Sequence, residues 1–333
     1  MKTEELQTIF DAFDQVKVLV IGDVMIDAYM WGNVDRISPE APVPIVTIDK
    51  KENRMGGAAN VALNLKSLGA TPIIHAVIGN DENGDLFTDL LEEEDLMTNG
   101  IMASKSRSTT VKTRVLSGGN QLLRIDEEIT LELSEEDEAN FIKLVLNTLE
   151  NNKIDLIVFE DYDKGLITKN VIEKIVNRAK ELNIPTAVDP KKRNFTNYKN
   201  VSLFKPNLKE LKQGLKVDIA NNNIEEIKKA AIQLKNNLNA DCVLVTLSEL
   251  GILVCHQETS HSIPAHYRDI TDVSGAGDTV ISVAALCYAL GMEAVNIAAI
   301  SNLAGGIVCE KVGVVPIDKN QLWHEAKLLL AKD

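Results

Sequence analysis

The chain has few cysteines, and none is spaced as in a zinc site or a redox motif. Its 333 residues include four cysteines, all in apolar runs and without a Cys-x-x-Cys pair: Cys242, Cys255, Cys287 and Cys309. The five histidines also lack zinc-ligand spacing, and no Gly-x-Ser-x-Gly elbow is present. We therefore expect buried free thiols in a reducing compartment, with neither a disulfide framework nor a serine nucleophile.

Long apolar runs and an excess of positive charge are missing as well. No uninterrupted apolar stretch reaches the length needed to span a membrane, and residues 1–15 lack the apolar core of a signal peptide. We expect a cytoplasmic protein without a membrane partner. The net charge is −14, so nothing offsets repulsion from nucleic acid, which is not an expected partner either. A phosphorylated ligand would require the few cations to be concentrated locally.

The two commonest nucleotide-binding fingerprints are absent. No Gly-x-Gly-x-x-Gly follows the first strand-like run, and no Gly-x-x-x-x-Gly-Lys-Ser/Thr occurs anywhere, which argues against a dinucleotide site and a P-loop. Short apolar runs instead alternate with helical stretches, which predicts an α/β fold with a mostly parallel sheet flanked by helices. We expect residues 1–333 to form a single domain. The strand-like runs lie at residues 16–21, 154–159, 184–188, 201–204 and 242–247.

Two segments depart from this α/β alternation. Residues of about 29–53 and 106–126 show the alternating polarity of exposed strands, and the second contains a Ser-Gly-Gly-Asn turn at 117–120. They either pair as a small second sheet that covers a site, or form ordinary surface hairpins. The pattern leaves both possibilities open.

A glycine-rich turn at residues 272–278 leads into an apolar segment that ends at Gly291. Gly275, Ala276 and Gly277 would expose backbone N–H groups at a helix N-terminus, where a phosphate or a developing oxyanion is stabilised. Asp278 follows in the first helical turn, where the dipole favours its ionised form. This pairing predicts phosphoryl transfer to a hydroxyl with Asp278 as the base. A simple turn with a capping aspartate is the alternative.

The remaining candidate residues lie at the ends of strands or the starts of helices, where ligands of parallel sheets gather. Asn207 and Glu210 offer oxygen ligands suited to Mg²⁺, although a helix capping box explains them equally well. Two groups of further candidates follow. Those for the acceptor are Asp27, Gly56, Gly57, Asn60, Asp161, Lys164, Asp189 and Lys191, and those for a nucleotide are Thr246, Ser248 and Gly251.

These elements, in this order, resemble the ribokinase-like (PfkB) carbohydrate kinases over nearly the whole chain. The runs at 22–27, 36–44, 161–165, 189–191 and 246–251 are most similar to those of heptose 7-phosphate kinases. The resemblance implies phosphorylation of the anomeric hydroxyl of D-glycero-D-manno-heptose 7-phosphate, a precursor of lipopolysaccharide core heptose. It implies ATP as co-substrate, Mg²⁺ near Asn207 and Glu210, a monovalent cation such as K⁺ near Asp272, and a small-sheet lid that pairs in a homodimer.

The resemblance also suggests further roles and shows two departures. Asn302 joins the nucleotide-binding residues, and Arg36 or Arg124 would help Lys164 and Lys191 to hold the distal phosphate. Residues 192–193, Lys-Arg, replace a stretch that is usually less basic. No His-x-Gly-His motif occurs, so we expect a separate protein to supply any nucleotidyltransferase step. Two alternatives remain: a kinase for another sugar, sugar phosphate or nucleoside, and a non-catalytic ligand sensor.

Overall fold

A computed structural model describes residues 2–331, in which ten α-helices and thirteen β-strands are found. Two single-turn 3-10 helices complete the regular structure. In chain order the elements are α1 (Thr3–Ala12), β1 (Lys17–Gly22), β2 (Val24–Ile37), β3 (Pro44–Gly57), α2 (Ala58–Ser67), β4 (Thr71–Gly79), α3 (Glu82–Glu93), β5 (Ile101–Ser104), β6 (Val111–Ser117), β7 (Asn120–Glu127), α4 (Glu135–Asn151), β8 (Leu156–Glu160), α5 (Lys169–Glu181), β9 (Thr186–Asp189), β10 (Leu203–Phe204), α6 (Leu208–Leu215), α7 (Ile224–Leu238), β11 (Cys242–Thr246), β12 (Ile252–His256), β13 (Thr259–Ile263), α8 (Ala276–Ala289), α9 (Ala294–Cys309) and α10 (Lys319–Leu330).

The main sheet has nine strands in the order β13-β12-β11-β10-β9-β8-β1-β4-β5. Every pair from β11 to β5 is parallel, and only β12 and β13 run antiparallel. Alternate residues of β1 face opposite sides of the main sheet. Val18 and Val20 belong to the core that includes residues of α2, α8 and α9. Leu19 and Ile21 belong to the core that includes residues of α4, α5 and α7. Helices therefore cover both faces, and the prediction of a mostly parallel α/β sheet is confirmed.

The second sheet has four strands in the order β3-β2-β6-β7. The two predicted excursions thus pair with each other in space. The strands of the first extend beyond its expected bounds, to residues 24–57, and those of the second begin five residues later than expected and end at residue 127. Its β2–β6 pair is parallel and the other two pairs are antiparallel. We call this the small sheet.

The small sheet has one strongly charged face. Its register places Asp27 of β2 beside Lys112 of β6 and Arg54 of β3. Because side chains two residues apart on a strand share a face, Tyr29 and Arg114 lie on that same side. The charged face includes Asp27, which comes shortly after the carboxyl end of β1.

Helix α8 begins within the glycine-rich turn and carries Asp278 in its first turn, as the sequence predicts. Gly291 follows its last turn with φ +74°, as expected for a left-handed helix terminus. Helices α8 and α2 pack together, which brings the N-terminus of each to the same edge of the main sheet. Among the helices of residues 2–331, none combines the length and apolarity that crossing a bilayer requires.

Candidate active site

Asp278 lies in the first turn of α8 and is held by two side-chain donors. Asn60 Nδ2 of α2 donates to Asp278 Oδ2 at 2.6 Å, and the Tyr162 hydroxyl donates to Oδ1 at 2.8 Å. The side chain is therefore fixed from two sides by residues that are 218 and 116 positions away in the chain. A carboxylate held in one orientation, with its charge intact, is suited to accept a proton.

The pKa of Asp278 is higher than the sequence leads us to expect. Burial raises it from 3.8 to about 6, although the hydrogen bonds from Asn60 and Tyr162 act in the opposite direction. The expectation that the helix dipole would keep an ordinary acidity neglected desolvation, which is the larger effect at this site. A pKa near 6 still leaves the carboxylate mostly ionised at neutral pH.

The turn before Asp278 has the backbone that its glycines predict. Gly275 is the N-cap of α8 with φ +77°, a conformation that favours glycine. A Cβ on Gly277 would meet nothing nearer than Asp189 and Lys205, both at 3.7 Å, so the turn opens toward those two side chains. The Ala276 amide donates to the Val273 carbonyl at 3.3 Å.

Three buried carboxylates meet at the carboxyl ends of β8 and β9. Glu160, Asp189 and Asp278 each place one oxygen within 4.8 Å of the others. Lys205 Nζ lies 2.7 Å from Asp189 Oδ2, and Lys191 Nζ lies 3.1 Å from Glu210 Oε1.

The charges in this cluster are not balanced. Four carboxylates, those of the three residues above and Glu210, face two ammonium groups. Glu160 is fully buried, and neither of its oxygens has a hydrogen-bond partner among residues 2–331. Burial and the nearby charges of Asp189 and Asp278 raise the pKa of Glu160 far above its usual value. An additional cation would relieve this repulsion, and carboxylate oxygens are the ligands that Mg²⁺ prefers.

Asn207 and Glu210 form the capping box of α6. Asn207 Oδ1 accepts from the Glu210 amide, and Glu210 Oε2 accepts from the Asn207 amide, each at 2.8 Å. The capping interpretation is therefore confirmed. Glu210 Oε1 accepts from Lys191. Within residues 2–331 the cluster's oxygens without a hydrogen bond are therefore those of Glu160 and Asp189 Oδ1, and the latter lies 3.9 Å from Lys191 Nζ.

The predicted nucleotide residues border a groove of about 640 Å³ beside this capping box. Asn207, Thr246 and Ser248 line it, together with residues of α6. Ser248 has φ +53°, a left-handed conformation that glycine adopts more readily than serine. Gly251 closes the turn with φ +89°. Asn302 lies apart, where its amide donates to the Pro264 carbonyl at 2.8 Å.

On the small-sheet side, Asp27 Oδ1 accepts from Arg114 Nη1 at 2.6 Å. Gly56 must lack a side chain, because a Cβ there would come within 2.5 Å of Asp27 Oδ2. Gly57 has φ +62°, and a Cβ would come within 2.4 Å of the Asp23 carbonyl. The two glycines thus allow β3 to run against Asp23 and Asp27 before α2 begins.

Several predicted residues have other partners or lie elsewhere. Asp161 accepts from Tyr198, Arg124 pairs with Asp126 through two nitrogens, and Lys164 lies 2.7 Å from Glu128. Burial raises the pKa of Asp161 to about 7.

Two further predicted residues lie away from Asp278 or serve as loop contacts. Arg36 is exposed near the end of β2, nine residues and about 30 Å of strand beyond Asp27, so this chain does not bring it to the site. Asp272 accepts from the Ser274 and Gly313 amides, each at 2.9 Å.

Some of the site was not foreseen from the sequence. Tyr162, Glu160, Lys205 and Arg114 were not singled out, and Asp23 was noted only as part of the run at 22–27. Tyr162 lies within the matched run 161–165, which was a signal for it. Glu160 and Lys205 read as ordinary ends of buried strands, and only the fold brings them together.

Comparisons with known proteins identify the family of the chain. The family model described as "pfkB family carbohydrate kinase" matches residues 15–320. The bifunctional protein HldE of Desulfatibacillum aliphaticivorans is 38% identical over 325 residues. That alignment covers 97% of this chain but 65% of the relative, so the chain spans about two thirds of the length of that protein.

Solved structures share the fold at low sequence identity. Phosphofructokinase-2 from Escherichia coli, in complex with potassium, superposes with a TM-score of 0.78 at 18% identity, covering 93% of this chain and 99% of that one. Ribokinase from Arabidopsis thaliana, complexed with ribose and ATP, gives a TM-score of 0.70 at 16% identity, with coverage of 92% and 98%. The ribokinase-like fold is thereby confirmed.

Proposed function

The chain belongs to the PfkB family of carbohydrate kinases, and we propose that it uses ATP to phosphorylate the anomeric hydroxyl of D-glycero-D-manno-heptose 7-phosphate. The observation that carries the chemistry is the Asp278 carboxylate at the glycine-rich start of α8, oriented by Asn60 and Tyr162. The choice of acceptor is supported by the heptose-kinase-like runs at 36–44 and 161–165 and by the 38% identity to HldE.

In the proposed mechanism the acceptor hydroxyl lies against Asp278, which takes its proton as the oxygen attacks the γ-phosphate of ATP. The sugar hydroxyls lie near Asp27 and Asn60. The open turn at Gly275–Gly277 faces Lys205, so its backbone N–H groups and that ammonium can stabilise the charge on the transferred group. Because the transition state is loose, correct placement contributes more than the strength of the base.

Mg²⁺ would neutralise charge on the ATP phosphates when bound. Glu160 and Asp189 are the residues that would hold it, since each places an oxygen within 4.8 Å of Asp278 and neither oxygen of Glu160 has a hydrogen-bond partner within residues 2–331. Asn207 and Glu210, the residues predicted from the sequence, would support it through water. A K⁺ requirement at Asp272 is tested by comparing turnover in K⁺ and Na⁺ buffers.

The experiment that tests the proposal is an ADP-release assay with a panel of acceptors that includes heptose 7-phosphate, fructose 6-phosphate and ribose. We expect the highest kcat/KM with heptose 7-phosphate. Asp278→Asn should lower kcat by about 10²- to 10⁴-fold, because general-base assistance is lost, while ATP binding persists. Near-normal turnover in that variant would remove Asp278 from its role, and a strong preference for another acceptor would remove the heptose.

We also propose that two copies pair through the small sheet. On its outer strand β7, Leu123 is 51% exposed and Ile125 is 47% exposed. Ile37, at the end of β2, is 61% exposed. Neighbouring apolar side chains exposed together on one strand, unlike single ones, mark a candidate protein–protein contact. Leu123→Glu should convert a dimer to a monomer in light-scattering measurements, and a wild-type protein that is monomeric at high concentration would contradict the pairing.

A further inference from the structure

The glycine-rich turn is reached through a segment without regular structure, residues 264–272, which runs along one side of α9. At the start of this segment, the Pro264 carbonyl accepts from Asn302 Nδ2 at 2.8 Å. Near its end, the Thr271 amide donates to the Cys309 carbonyl at 2.8 Å. The segment therefore follows the second half of α9 as far as its last residue.

Between these two ends, Arg268 forms ion pairs with two glutamates. Its Nη1 donates at 3.0 Å to Glu310, which follows α9, and its Nη2 donates to Glu325 of α10. The Arg268 side chain is only 8% exposed, although Tyr267 before it is 98% exposed. Because a buried charge without its partners is costly, the segment cannot leave α9 here without a large penalty. We call Arg268 with its two glutamates the arginine clamp.

Helix α9 has a gap that matches the Arg268 side chain. A Cβ on Gly306 would come within 2.7 Å of Arg268 Nε and 2.9 Å of its Cδ. Glycine inside a helix costs about 0.5–1 kcal/mol relative to alanine. Gly306 lies inside α9, and its lack of a side chain lets the arginine pass close to the helix backbone.

The arginine clamp lies close in the chain to the glycine-rich turn. Arg268 is four residues before Asp272, the first residue of the turn, whose amide also donates to the Cys309 carbonyl, at 3.1 Å. Ile270, between them, is 57% exposed. A side chain that faces solvent does little to hold a loop, so the turn relies on Arg268 and on backbone bonds for its position.

We propose that Arg268 is a positioning residue for phosphoryl transfer, and that the arginine clamp holds the glycine-rich turn where its amides meet the phosphates. This inference rests on the proposed function, because the turn acts in the same reaction. It gives α10 an indirect part in catalysis, since Glu325 fixes a segment that leads to Asp278. A displacement of the turn by about 1 Å would weaken the amide contacts in the transition state and can lower the rate about 100-fold.

The test is the kinetics of Arg268→Ala, with the concentrations of ATP and acceptor varied separately. We expect kcat/KM for ATP to fall about 10- to 100-fold, because the turn that meets the phosphates is displaced. KM for the acceptor should stay unchanged, since Asp27 and Asn60 do not belong to the segment. The acid limb of the pH profile should also stay in place, because the bonds of Asp278 to Asn60 and Tyr162 remain.

Arg178→Ala is the matched control. Arg178 also pairs with two glutamates, Glu181 at 2.8 Å and Glu150 at 3.8 Å, but from the last turn of α5. Because α5 returns the chain from the carboxyl end of β8 to the amino end of β9, that turn lies at the opposite edge of the sheet from Asp278. The kinetic constants of this variant should match those of the wild type.

Gly306→Ala tests the arginine clamp from the side of α9. With Arg268 present, the added Cβ displaces its side chain, so kcat/KM for ATP should fall as well. In the double variant with Arg268→Ala, the Cβ enters the space that the arginine left, so kcat/KM should equal that of Arg268→Ala alone.

Three results would overturn the proposal. They are losses that multiply in the double variant, a KM that rises equally for ATP and the acceptor in Arg268→Ala, and ATP kinetics in Arg268→Ala that match the wild type. If Arg268→Ala does not fold, Glu325→Gln is measured in its place with the same expectations.

Failure of the proposed function is recognised separately. If the wild-type protein releases no ADP with any acceptor, the kinase proposal fails, and the arginine clamp is judged by amide hydrogen exchange in the nucleotide-free protein. Exchange of the amides of residues 271–277 that is about tenfold faster in Arg268→Ala supports the clamp, and unchanged exchange overturns it. The amides of Tyr162, Lys164 and Leu166, which Asp23 binds, serve as the internal reference.

Discussion

Removing the Tyr162 hydroxyl should shift the pH dependence of the reaction. Tyr162→Phe keeps the ring, which Lys191 contacts at 5.0 Å from its centroid, but removes the donor to Asp278 Oδ1. A hydrogen bond to a charged group contributes about 1.5–3 kcal/mol, and one pKa unit corresponds to about 1.4 kcal/mol. Because the lost bond favoured the ionised form, the pKa of Asp278 should rise from about 6 by roughly one to two units.

The expected consequence is a displaced acid limb in the profile of kcat/KM against pH. A rise of about 1.5 units would lower the ionised fraction at pH 7 from about nine tenths to about a quarter, so activity should fall about fourfold there and recover above pH 9. The measurement is kcat/KM from pH 5 to 9.5.

A matched control exists in the loop that follows β9. Tyr198 is also a buried tyrosine whose hydroxyl donates at 2.8 Å to a buried aspartate, in this case Asp161. Tyr198→Phe should leave the acid limb where the wild type has it, whatever it does to stability. An acid limb that stays in place in Tyr162→Phe, or moves to the same extent in both variants, would refute the assignment of that limb to Asp278.

Three further outcomes follow from the geometry. Gly57→Ala should lower the unfolding free energy by about 1–3 kcal/mol or more, because its φ of +62° and the Asp23 carbonyl at 2.4 Å leave no place for a Cβ. In Gly119→Ala the Cβ would enter open space, so the loss of unfolding free energy should be smaller. Urea unfolding measures both variants. Glu160→Gln should raise the Mg²⁺ concentration needed for half-maximal activity about tenfold and leave the KM for the sugar unchanged. An unchanged Mg²⁺ concentration for half-maximal activity would contradict the assignment of Glu160 to the metal site. The pKa of Asp278 is raised in the folded state, so its contribution to stability is present below pH 3.8 and is lost as pH rises through about 6. Asp278→Asn should therefore unfold at a higher temperature than the wild type at pH 8, but not at pH 3. Calorimetric scans at the two pH values measure this difference.

Much of the framework follows from local pattern. The runs at 16–21 and 242–247 predict β1 and β11 to within a residue, because central parallel strands are apolar on both faces. Gly291 predicts the end of α8 for an equally local reason, since a glycine readily adopts the left-handed conformation. The glycine-rich turn at 272–278 likewise predicts the start of α8, with Asp278 in its first turn.

The site itself depends on contacts that pattern cannot reveal. Tyr162 and Asp278 are 116 residues apart, and Arg114 and Asp27 are 87 apart, so their pairing exists only in the folded chain. The raised pKa of Asp278 has the same origin, because desolvation depends on everything packed around the carboxylate. Motif spacing does identify Asp278 and Asn60 individually, and the structure places them in one hydrogen bond.

Asp23 connects two segments that border the proposed acceptor pocket. Its carboxylate accepts from the backbone amides of Tyr162, Lys164 and Leu166, while its carbonyl accepts from the amide of Ala58 at the start of α2. A shift in either segment would break bonds to a group that is almost entirely buried. Changes of acceptor during evolution would therefore arise by replacing side chains on the small sheet more readily than by reshaping these two loops, which one aspartate makes into a single rigid wall.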